Sequence, residues 1–293
     1  EEGCKLCVDD ACLPVKICYG HLKNLENKVD VIFLPRIISI APKEYICPKF
    51  LGLPDMIKVN MPDLPPIIDT DINLYRKKSK LYEHFLKTGM MLGANNSKIL
   101  RAFNVAKKYQ QHFENYLIAQ QMLVSDYYYE ILDQKDLKPV KPPLNGQKVL
   151  ILGHPYNIHD CYINMDLLTK LKKANITPIT YEMIQPDCIQ KGASLLPKKM
   201  FWSLGQKVLG FAYYYLDYKK FDGIIHIASF GCGPDSLIGE LLERKIMKDY
   251  SVPFLYLNLD EHSGQAGFDT RIEAFIDILE GRRYSENHVP SYG

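Results

Sequence analysis

The chain reads Gly223-Ile224-Ile225-His226-Ile227-Ala228 and continues directly into Ser229-Phe230-Gly231-Cys232-Gly233-Pro234-Asp235-Ser236. The first six residues form a short, mostly apolar run, which predicts a buried parallel strand. Pro234 suits the first turn of a helix, where its missing N–H costs nothing. Cys232 is therefore predicted at the carboxyl edge of a sheet, where the helix dipole favours a thiolate or an anionic cluster. The alternative is a glycine-rich turn in which the cysteine is incidental.

Strands alternate with helices on both sides of this segment. The sequence predicts strands at 148–153, 177–181, 223–228 and 254–259, helices at 161–173, 236–249 and 268–281, and helices with loops from 186 to 219. Such alternation predicts a doubly wound parallel sheet. In open sheets of this kind, ligands bind outside the carboxyl ends of the strands. Cys232 is predicted at that edge.

The earlier part of the chain predicts a second, smaller unit. A helix begins near Pro14 and a buried strand covers 29–35, whereas 52–69 contains four prolines and predicts a linking segment. The strand expected before the first helix is absent, so we expect further residues upstream. The predicted fold class is α/β, with two Rossmann-like (doubly wound parallel sheet) lobes joined by a helical segment. The predicted domains are 1–70, a partial α/β lobe with the cysteine-rich head; 71–137, the helical segment; and 138–293, the second Rossmann-like lobe.

Cysteines are concentrated at the head of the chain. Five of the eight lie in the first 47 residues, a density that favours metal binding over a disulfide scaffold. The candidate ligands are predicted in loops at sheet edges: Cys7, Cys12, Cys47 and Cys232. Four thiolates are the ligand set of a [4Fe–4S] centre. Zinc is the competing metal, because Cys4 and Cys7 have a zinc-like spacing, although the usual second close pair is missing. Cys4 is a further candidate ligand.

The remaining cysteines and several polar residues have structural interpretations. Cys18 shares an apolar helical face with Val15 and Leu22, and the spacing around Cys161 also predicts a core thiol. Cys188 is predicted in a loop and its role is left open. Residues interpreted as hydrogen-bonded scaffold or helix caps are His154, His159, Asp260, Glu261 and His262.

Several functional classes are disfavoured. A net charge of +2 gives no reason to expect nucleic acid or an acidic membrane, and no apolar run approaches the roughly 18 residues of a spanning helix. The aromatic residues between 100 and 131 follow a helical stripe that predicts core rather than a base-stacking surface. Neither a phosphate-binding glycine motif nor a hydrolase nucleophile motif is present. If ATP drives this system, we expect another polypeptide to hydrolyse it.

A combination of short motifs resembles one known family. The motifs are Cys7-Val8-Asp9-Asp10-Ala11-Cys12-Leu13-Pro14-Val15-Lys16, Gly20-His21, Phe33-Leu34-Pro35-Arg36, Cys47-Pro48-Lys49-Phe50-Leu51-Gly52-Leu53-Pro54, Gly153-His154-Pro155-Tyr156 and Phe230-Gly231-Cys232-Gly233-Pro234-Asp235. Together they resemble the activase-related proteins of the 2-hydroxyacyl-CoA dehydratase superfamily. The resemblance implies a [4Fe–4S] or double-cubane cluster held by Cys7 or its neighbour, Cys12, Cys47 and Cys232. It also implies low-potential electrons from an ATP-hydrolysing activase, itself an iron–sulfur homodimer.

These observations lead to two functional hypotheses. The first is a cytoplasmic iron–sulfur redox protein that receives electrons from the activase and passes them to a substrate or partner. Four ligands would close the cluster for electron transfer, whereas three would leave an iron site open to substrate. Nearby Lys16, Arg36 and Lys49 are expected to offset the cluster's negative charge. The second hypothesis is a structural or regulatory metal-binding protein without catalysis; homo-oligomerisation is left open for both.

Overall fold

The structure, a computed structural model, describes residues 1–76, 80–131 and 146–287. Its helices are α1 (Glu2–Leu6), α2 (Leu13–Leu25), α3 (Pro48–Asn60), α4 (Leu81–Met91), α5 (Asn96–Gln120), α6 (Val124–Ile131), α7 (Pro155–His159), α8 (Leu167–Lys173), α9 (Pro186–Ala193), α10 (Ser203–Tyr218), α11 (Gly233–Asp249) and α12 (Gln265–Asn287). Its strands are β1 (Ile32–Phe33), β2 (Arg36–Ser39), β3 (Ile67–Ile68), β4 (Asp71–Asn73), β5 (Gln147–Gly153), β6 (Ile176–Ile179), β7 (Gly223–Ser229) and β8 (Phe254–Leu259). A short 3₁₀ helix covers Tyr181–Met183.

The main sheet has four parallel strands in the order β6-β5-β7-β8. Every residue of β7 is buried, as are the last five of β5, because helices cover these apolar strands. The chain moves from β5 outward to β6 and then crosses back to β7 on the other side of β5. Ligands bind at such a reversal, outside the carboxyl ends of the two central strands. The predicted α/β class and its parallel sheet are confirmed.

The amino-terminal strands are much shorter. β1 pairs with β3 and β2 with β4, both in parallel. The predicted strand at 29–35 starts only at Ile32, and the chain continues as β2 beyond Pro35, which has no N–H for the ladder. In this part of the chain the structure describes only these two-stranded pairs. The two-lobe arrangement and the bounds of the three domains therefore stay predictions.

The prediction of a linker at 52–69 is wrong. Helix α3 covers Pro48–Asn60 despite the internal Pro54, and β3 follows it. Both Pro54 and Ile57 are buried. Packing of this face outweighs the lost hydrogen bond of the proline, because tertiary contacts supply most of the stability of a helix in a protein.

The predicted helix at 161–173 is also wrong in its first turn. Residues 161–166 form a turn, held where Asp160 Oδ1 accepts hydrogen bonds from the backbone N–H groups of Tyr162 and Ile163. Helix α8 begins only at Leu167. As a result Cys161 is exposed rather than packed in the core. An Asp side chain that bonds the backbone two and three residues later favours a turn over a continuous helix.

The helical segment is shorter than predicted. It comprises α4, α5 and α6 after the strand β4, and residues 132–137 lie outside the described part of the chain. The predicted core stripe is only partly correct, because Leu100 and Tyr109 are exposed. Phe113 of α5 does contact the ring of Tyr127 at 4.7 Å between centroids. None of the helices described is long and apolar enough to cross a membrane.

Candidate metal centre

Three of the predicted ligands occupy equivalent positions. Cys12, Cys47 and Cys232 each immediately precede a helix, α2, α3 and α11 respectively, and each helix has a proline in its first turn. The first N–H groups of a helix have no partner within it, and the helix dipole places positive charge at that end. All three thiols therefore lie where an anion is stabilised.

The turn after β7 packs against the loop before α2. Gly231 has φ +77°, and a Cβ at this position would lie 3.4 Å from the carbonyl oxygen of Asp10 and 3.8 Å from Cα of Cys12. Glycine meets both requirements, the positive φ and the close approach. The loops that carry Cys12 and Cys232 are therefore in contact, as the sequence interpretation required.

Electrostatic interactions extend this proximity to Cys47. Burial raises the pKa of the Cys232 thiol to about 12, with further increases from Asp235, Cys12 and Cys47. Burial also raises the pKa of Cys12, and the thiol of Cys47 raises it further. The ring of Phe50, three residues after Cys47, lies 6.0 Å from the ring of Tyr156. The head of the chain and the edge of the main sheet thus meet around three thiols.

The end of β5 contributes a histidine and a tyrosine. At Gly153, φ is +145° and a Cβ would lie 2.4 Å from the carbonyl oxygen of Ile227, so only glycine allows β5 to end against β7. The next residue, His154, is buried, with Nδ1 3.9 Å from Sγ of Cys232. The same nitrogen lies 2.8 Å from the Tyr156 hydroxyl oxygen. His154 therefore faces the candidate centre.

A buried carboxylate lies behind this histidine. Oδ2 of Asp235 is 3.7 Å from Nδ1 of His154, and Oδ1 accepts a hydrogen bond from Nε2 of His226 at 3.0 Å. Burial opposes ionisation of Asp235, but the two histidines bring its pKa below the usual value. Burial also lowers the pKa of His154, whereas the negative charge of Asp235 acts to raise it. Each group therefore favours the charged form of the other, while burial opposes both charged forms.

The spacing of the donor atoms separates two kinds of site. Sγ of Cys232, Nδ1 of His154 and a carboxylate oxygen of Asp235 all lie within 4.8 Å of one another, so this group could hold a metal ion. Among the residues described, the three sulfurs of Cys12, Cys47 and Cys232 do not form so compact a group. Tetrahedral zinc with Zn–S bonds of about 2.3 Å requires sulfurs about 3.8 Å apart. The three-thiol arrangement is therefore wider than a single-zinc site.

The other predicted ligands occupy different surroundings. Cys7 ends α1 and is buried in the amino-terminal apolar cluster with Cys12 and Tyr19; burial raises its pKa, and the thiol of Cys4 adds to that increase. Cys4 is half-buried beside a cavity of about 1150 Å³ between the head of the chain and the loops after α7 and β8. Their ligand roles stay predictions.

The environments of the remaining cysteines agree only in part with the predictions. Cys18 is half-buried and packs against the amino-terminal apolar cluster, as expected. Cys188 is half-buried in α9 rather than in a loop. None of the eight cysteines, all of which the structure describes, forms a disulfide.

Two of the three basic residues expected near the cluster have carboxylate partners. Arg36 pairs with Asp55, Asp69 and Asp71. Lys16 is buried and donates to Glu261 in the loop after β8. The charges of Lys16 and Lys49 lower the pKa of Cys7, and that of Lys49 lowers the pKa of Cys12, against the larger effect of burial; their effect on a cluster stays a prediction.

The polar residues interpreted as scaffold have divided roles. His159 pairs with Glu182 at 3.0 Å, as a scaffold histidine does. Asp260 accepts hydrogen bonds from Ser263 Oγ and the N–H of His262, which orders the turn before α12. Glu261 instead connects this turn to α2 through Lys16.

The sequence interpretation missed the polar group beside Cys232. It treated His154 as scaffold and gave no role to Tyr156, His226 or Asp235. One signal was available, because His154 follows a buried strand and Asp235 lies in the first turn of the helix after Cys232, both at the same sheet edge. His226 carried no such signal, since a histidine inside an apolar strand can hydrogen-bond in many ways.

A family model described as the CoA enzyme activase uncharacterised domain matches residues 1–184. The match includes three of the predicted ligands, together with His154 and Tyr156, and ends before Cys232. None of the curated proteins matches the chain.

Proposed function

This chain belongs to the family described as the CoA enzyme activase uncharacterised domain, and on that basis we propose that it is an iron–sulfur redox protein of a CoA-enzyme system. In this proposal it resembles the dehydratase component of the 2-hydroxyacyl-CoA dehydratase superfamily. It receives low-potential electrons from a separate ATP-hydrolysing activase and passes them to a substrate or partner. The location that we propose is the cytoplasm, where free thiols persist.

One observation carries the proposal. The thiols of Cys12, Cys47 and Cys232 come from three separate helix starts, influence one another electrostatically, and are spaced more widely than a single zinc ion requires. Thiolates are the ligands of iron–sulfur clusters, and a cluster is larger than one ion. In this proposal the donor set holds a [4Fe–4S] cluster. A double-cubane cluster would need the further thiols of Cys7 and Cys4.

When bound, such a cluster supplies one-electron transfer at low potential. The chain's own residues would hold and tune it. Three helix N-termini direct N–H groups and positive dipole ends toward the thiolates, which stabilises negative charge. Lys49 adds a positive charge that acts on Cys7 and Cys12. Burial of Cys12 and Cys232 limits access of water.

The number of cysteine ligands decides between two forms of this function. With Cys7 as fourth ligand the cluster is closed and electron transfer is its role. With three ligands one iron position is open to a substrate or partner. We favour the closed form because Cys7 is buried in the same apolar cluster as Cys12.

The arrangement of the chain follows from the same proposal. Residues 1–70 would be a partial lobe and 138–293 the second Rossmann-like lobe, with the cluster between them and the helices of 71–137 as the connection. Support comes from the ligands, which derive from both ends of the chain, and from the ion pair between Lys16 and Glu261.

A second candidate function is a structural or regulatory metal site without catalysis. It is favoured by the compact group of His154, Cys232 and Asp235, which suits a single ion. In that case the metal would join the sheet edge to nearby loops and no electron would be transferred.

The test is anaerobic purification, followed by iron and acid-labile sulfide analysis and by EPR spectroscopy after dithionite reduction. We expect about four iron and four sulfide per chain and a paramagnetic signal on reduction. A Cys7→Ser variant distinguishes the two forms: the closed form predicts a changed EPR signal, whereas the open form predicts an unchanged one. Zinc-only protein without sulfide would contradict the redox function and support the structural one.

A further inference from the structure

We propose that His154, Cys232 and Asp235 form a mononuclear site for a divalent transition-metal ion, which is distinct from the cluster site and shares only Cys232 with it. The three donors are fully buried, and their ligand atoms lie within 4.8 Å of one another. The nitrogen-to-sulfur distance of 3.9 Å and the nitrogen-to-oxygen distance of 3.7 Å are slightly longer than separations in a tetrahedral zinc site. Small side-chain movements would bring the atoms into coordination.

An unpartnered oxygen points to an ion at this position. Oδ2 of Asp235 is buried and accepts no hydrogen bond within the part of the chain that the structure describes. A buried carboxylate oxygen without a partner is costly, and metal coordination is one of the few ways to satisfy it. This oxygen is the one that faces His154.

The surroundings of the donors resemble those of other metal sites. Oδ1 of Asp235 accepts the hydrogen bond from His226, and ligating carboxylates are commonly held by such an outer partner. The Tyr156 hydroxyl, which contacts Nδ1 of His154, would be displaced from that nitrogen when an ion binds. The Cys232 thiol would release its proton to solvent on binding.

The donor types select a class of metal. One imidazole, one thiolate and one carboxylate suit Zn²⁺, Co²⁺ or Fe²⁺ and disfavour Mg²⁺ and Ca²⁺, which take oxygen ligands. Three protein donors also leave a coordination position open. The site rests on the group that the second candidate function uses and does not depend on the iron–sulfur function, but one consequence does: an ion on Cys232 would exclude the cluster from that thiol.

The experiment is a titration of the full chain, freed of metal by a chelator, with Co²⁺. We expect one Co²⁺ per chain and a near-ultraviolet thiolate-to-cobalt absorption band with the intensity of one Co–S bond. The variants Cys232→Ser and His154→Ala should lose the band, whereas Cys12→Ser, Cys47→Ser and Cys161→Ser should keep it. His226→Gln should keep the band with affinity about tenfold weaker or more, because it removes only the outer partner.

Two results would overturn the site. One is the absence of a band in wild-type protein; the other is loss of the band in Cys12→Ser or Cys47→Ser, which would indicate a multi-thiolate site. Circular dichroism and thermal unfolding identify any variant that has lost its fold. The band intensity of the wild-type protein tests, without any variant, whether a single thiolate binds the cobalt.

The two proposals fail separately. Cobalt binding without any iron–sulfur cluster after anaerobic reconstitution would contradict the redox function and leave the mononuclear site standing. A cluster that forms on reconstitution, with no cobalt binding to the metal-free protein, would contradict the mononuclear site and leave the redox function standing. With both present, pre-loading with Zn²⁺ should block reconstitution in wild-type protein, and unhindered reconstitution would contradict the shared role of Cys232.

Discussion

The main sheet region (residues 146–287) and the head of the chain (residues 1–76) both supply donors to the candidate centre. They position these donors in different ways. The sheet region carries His154 and Cys232 at the ends of two central strands that are almost wholly buried. The head has strands of only two to four residues and positions its cysteines at the starts of two helices. The sheet can therefore keep its donors in place alone, whereas the head depends on docking against it.

Several contacts provide this docking, and three of them lie near candidate ligands. Lys16 pairs with Glu261, the turn at Gly231 lies against Cys12, and the backbone at Tyr45 forms a parallel bridge with Trp202. Each contact lies within a few residues of a candidate ligand or on the same helix as one. Site geometry and docking of the two regions should therefore change together, and three substitutions test this comparison.

The largest effect is expected at the sheet edge. Cys232→Ser should reduce iron after reconstitution to below about a tenth of the wild-type level, because this thiol is the only candidate cluster ligand that the sheet region supplies. Iron and sulfide analysis measures it, with Cys161→Ser as the control because that thiol is exposed and is not a candidate ligand. Retained iron in Cys232→Ser would show that the head alone holds the metal.

A buried ion pair tests the rigidity of the sheet region. Lys172 of α8 donates two hydrogen bonds to Asp126 of α6, at 2.7 and 2.6 Å, and both residues are buried. Asp126→Asn should lower the free energy of unfolding by about 3 kcal/mol, because it leaves the ammonium buried without its counter-charge. Urea unfolding measures this loss. The exposed pair of Arg244 and Glu240 is the control, and Arg244→Met should have no measurable effect.

If Asp126→Asn is as stable as the wild type, the pair does not anchor α6 to the sheet region. The double variant Asp126→Leu/Lys172→Met should recover much of the loss, because replacing both charges leaves no unpaired group.

The smallest effect is expected at the ion pair between the two regions. Glu261→Gln should lower the free energy of unfolding by about 1 kcal/mol near neutral pH, a value between those of exposed and buried pairs. The hydrogen bond between the two side chains is the main cause that lowers the pKa of Glu261 and raises that of Lys16. Thermal unfolding of wild type and variant across pH measures the difference.

The pH dependence follows from these two directions. The stabilisation is present above the ordinary glutamate pKa of about 4.3 and is lost as pH falls through the lower folded value. It is also present below the ordinary lysine pKa of about 10.4 and is lost as pH rises through the higher folded value. A difference between wild type and Glu261→Gln that persists at low pH would contradict this origin. Glu240→Gln, on an exposed helix face, is the control.

The sequence predicted much of the main sheet region. Alternation of apolar strands and amphipathic helices identified all four strands, because parallel strands buried on both faces require continuous apolar runs. It also located Cys232 directly before α11. The head was harder to predict. Proline in α3 imitated a linker, and the side chain of Asp160 converted a predicted helical turn into a bend.

The sequence by itself determined the α/β class, the carboxyl edge at which a ligand would bind, and the positions of Cys12 and Cys232 before helices, because hydrophobic periodicity and proline position are local properties; the helix after Cys47 was not predicted. Only the tertiary structure decided which donors approach Cys232. His154, Asp235 and His226 belong to a buried group formed by two adjacent strand ends and a helix, and Cys12 joins them only because Gly231 allows two loops to touch. Such neighbours are distant along the chain, and their proximity depends on packing that no local pattern records.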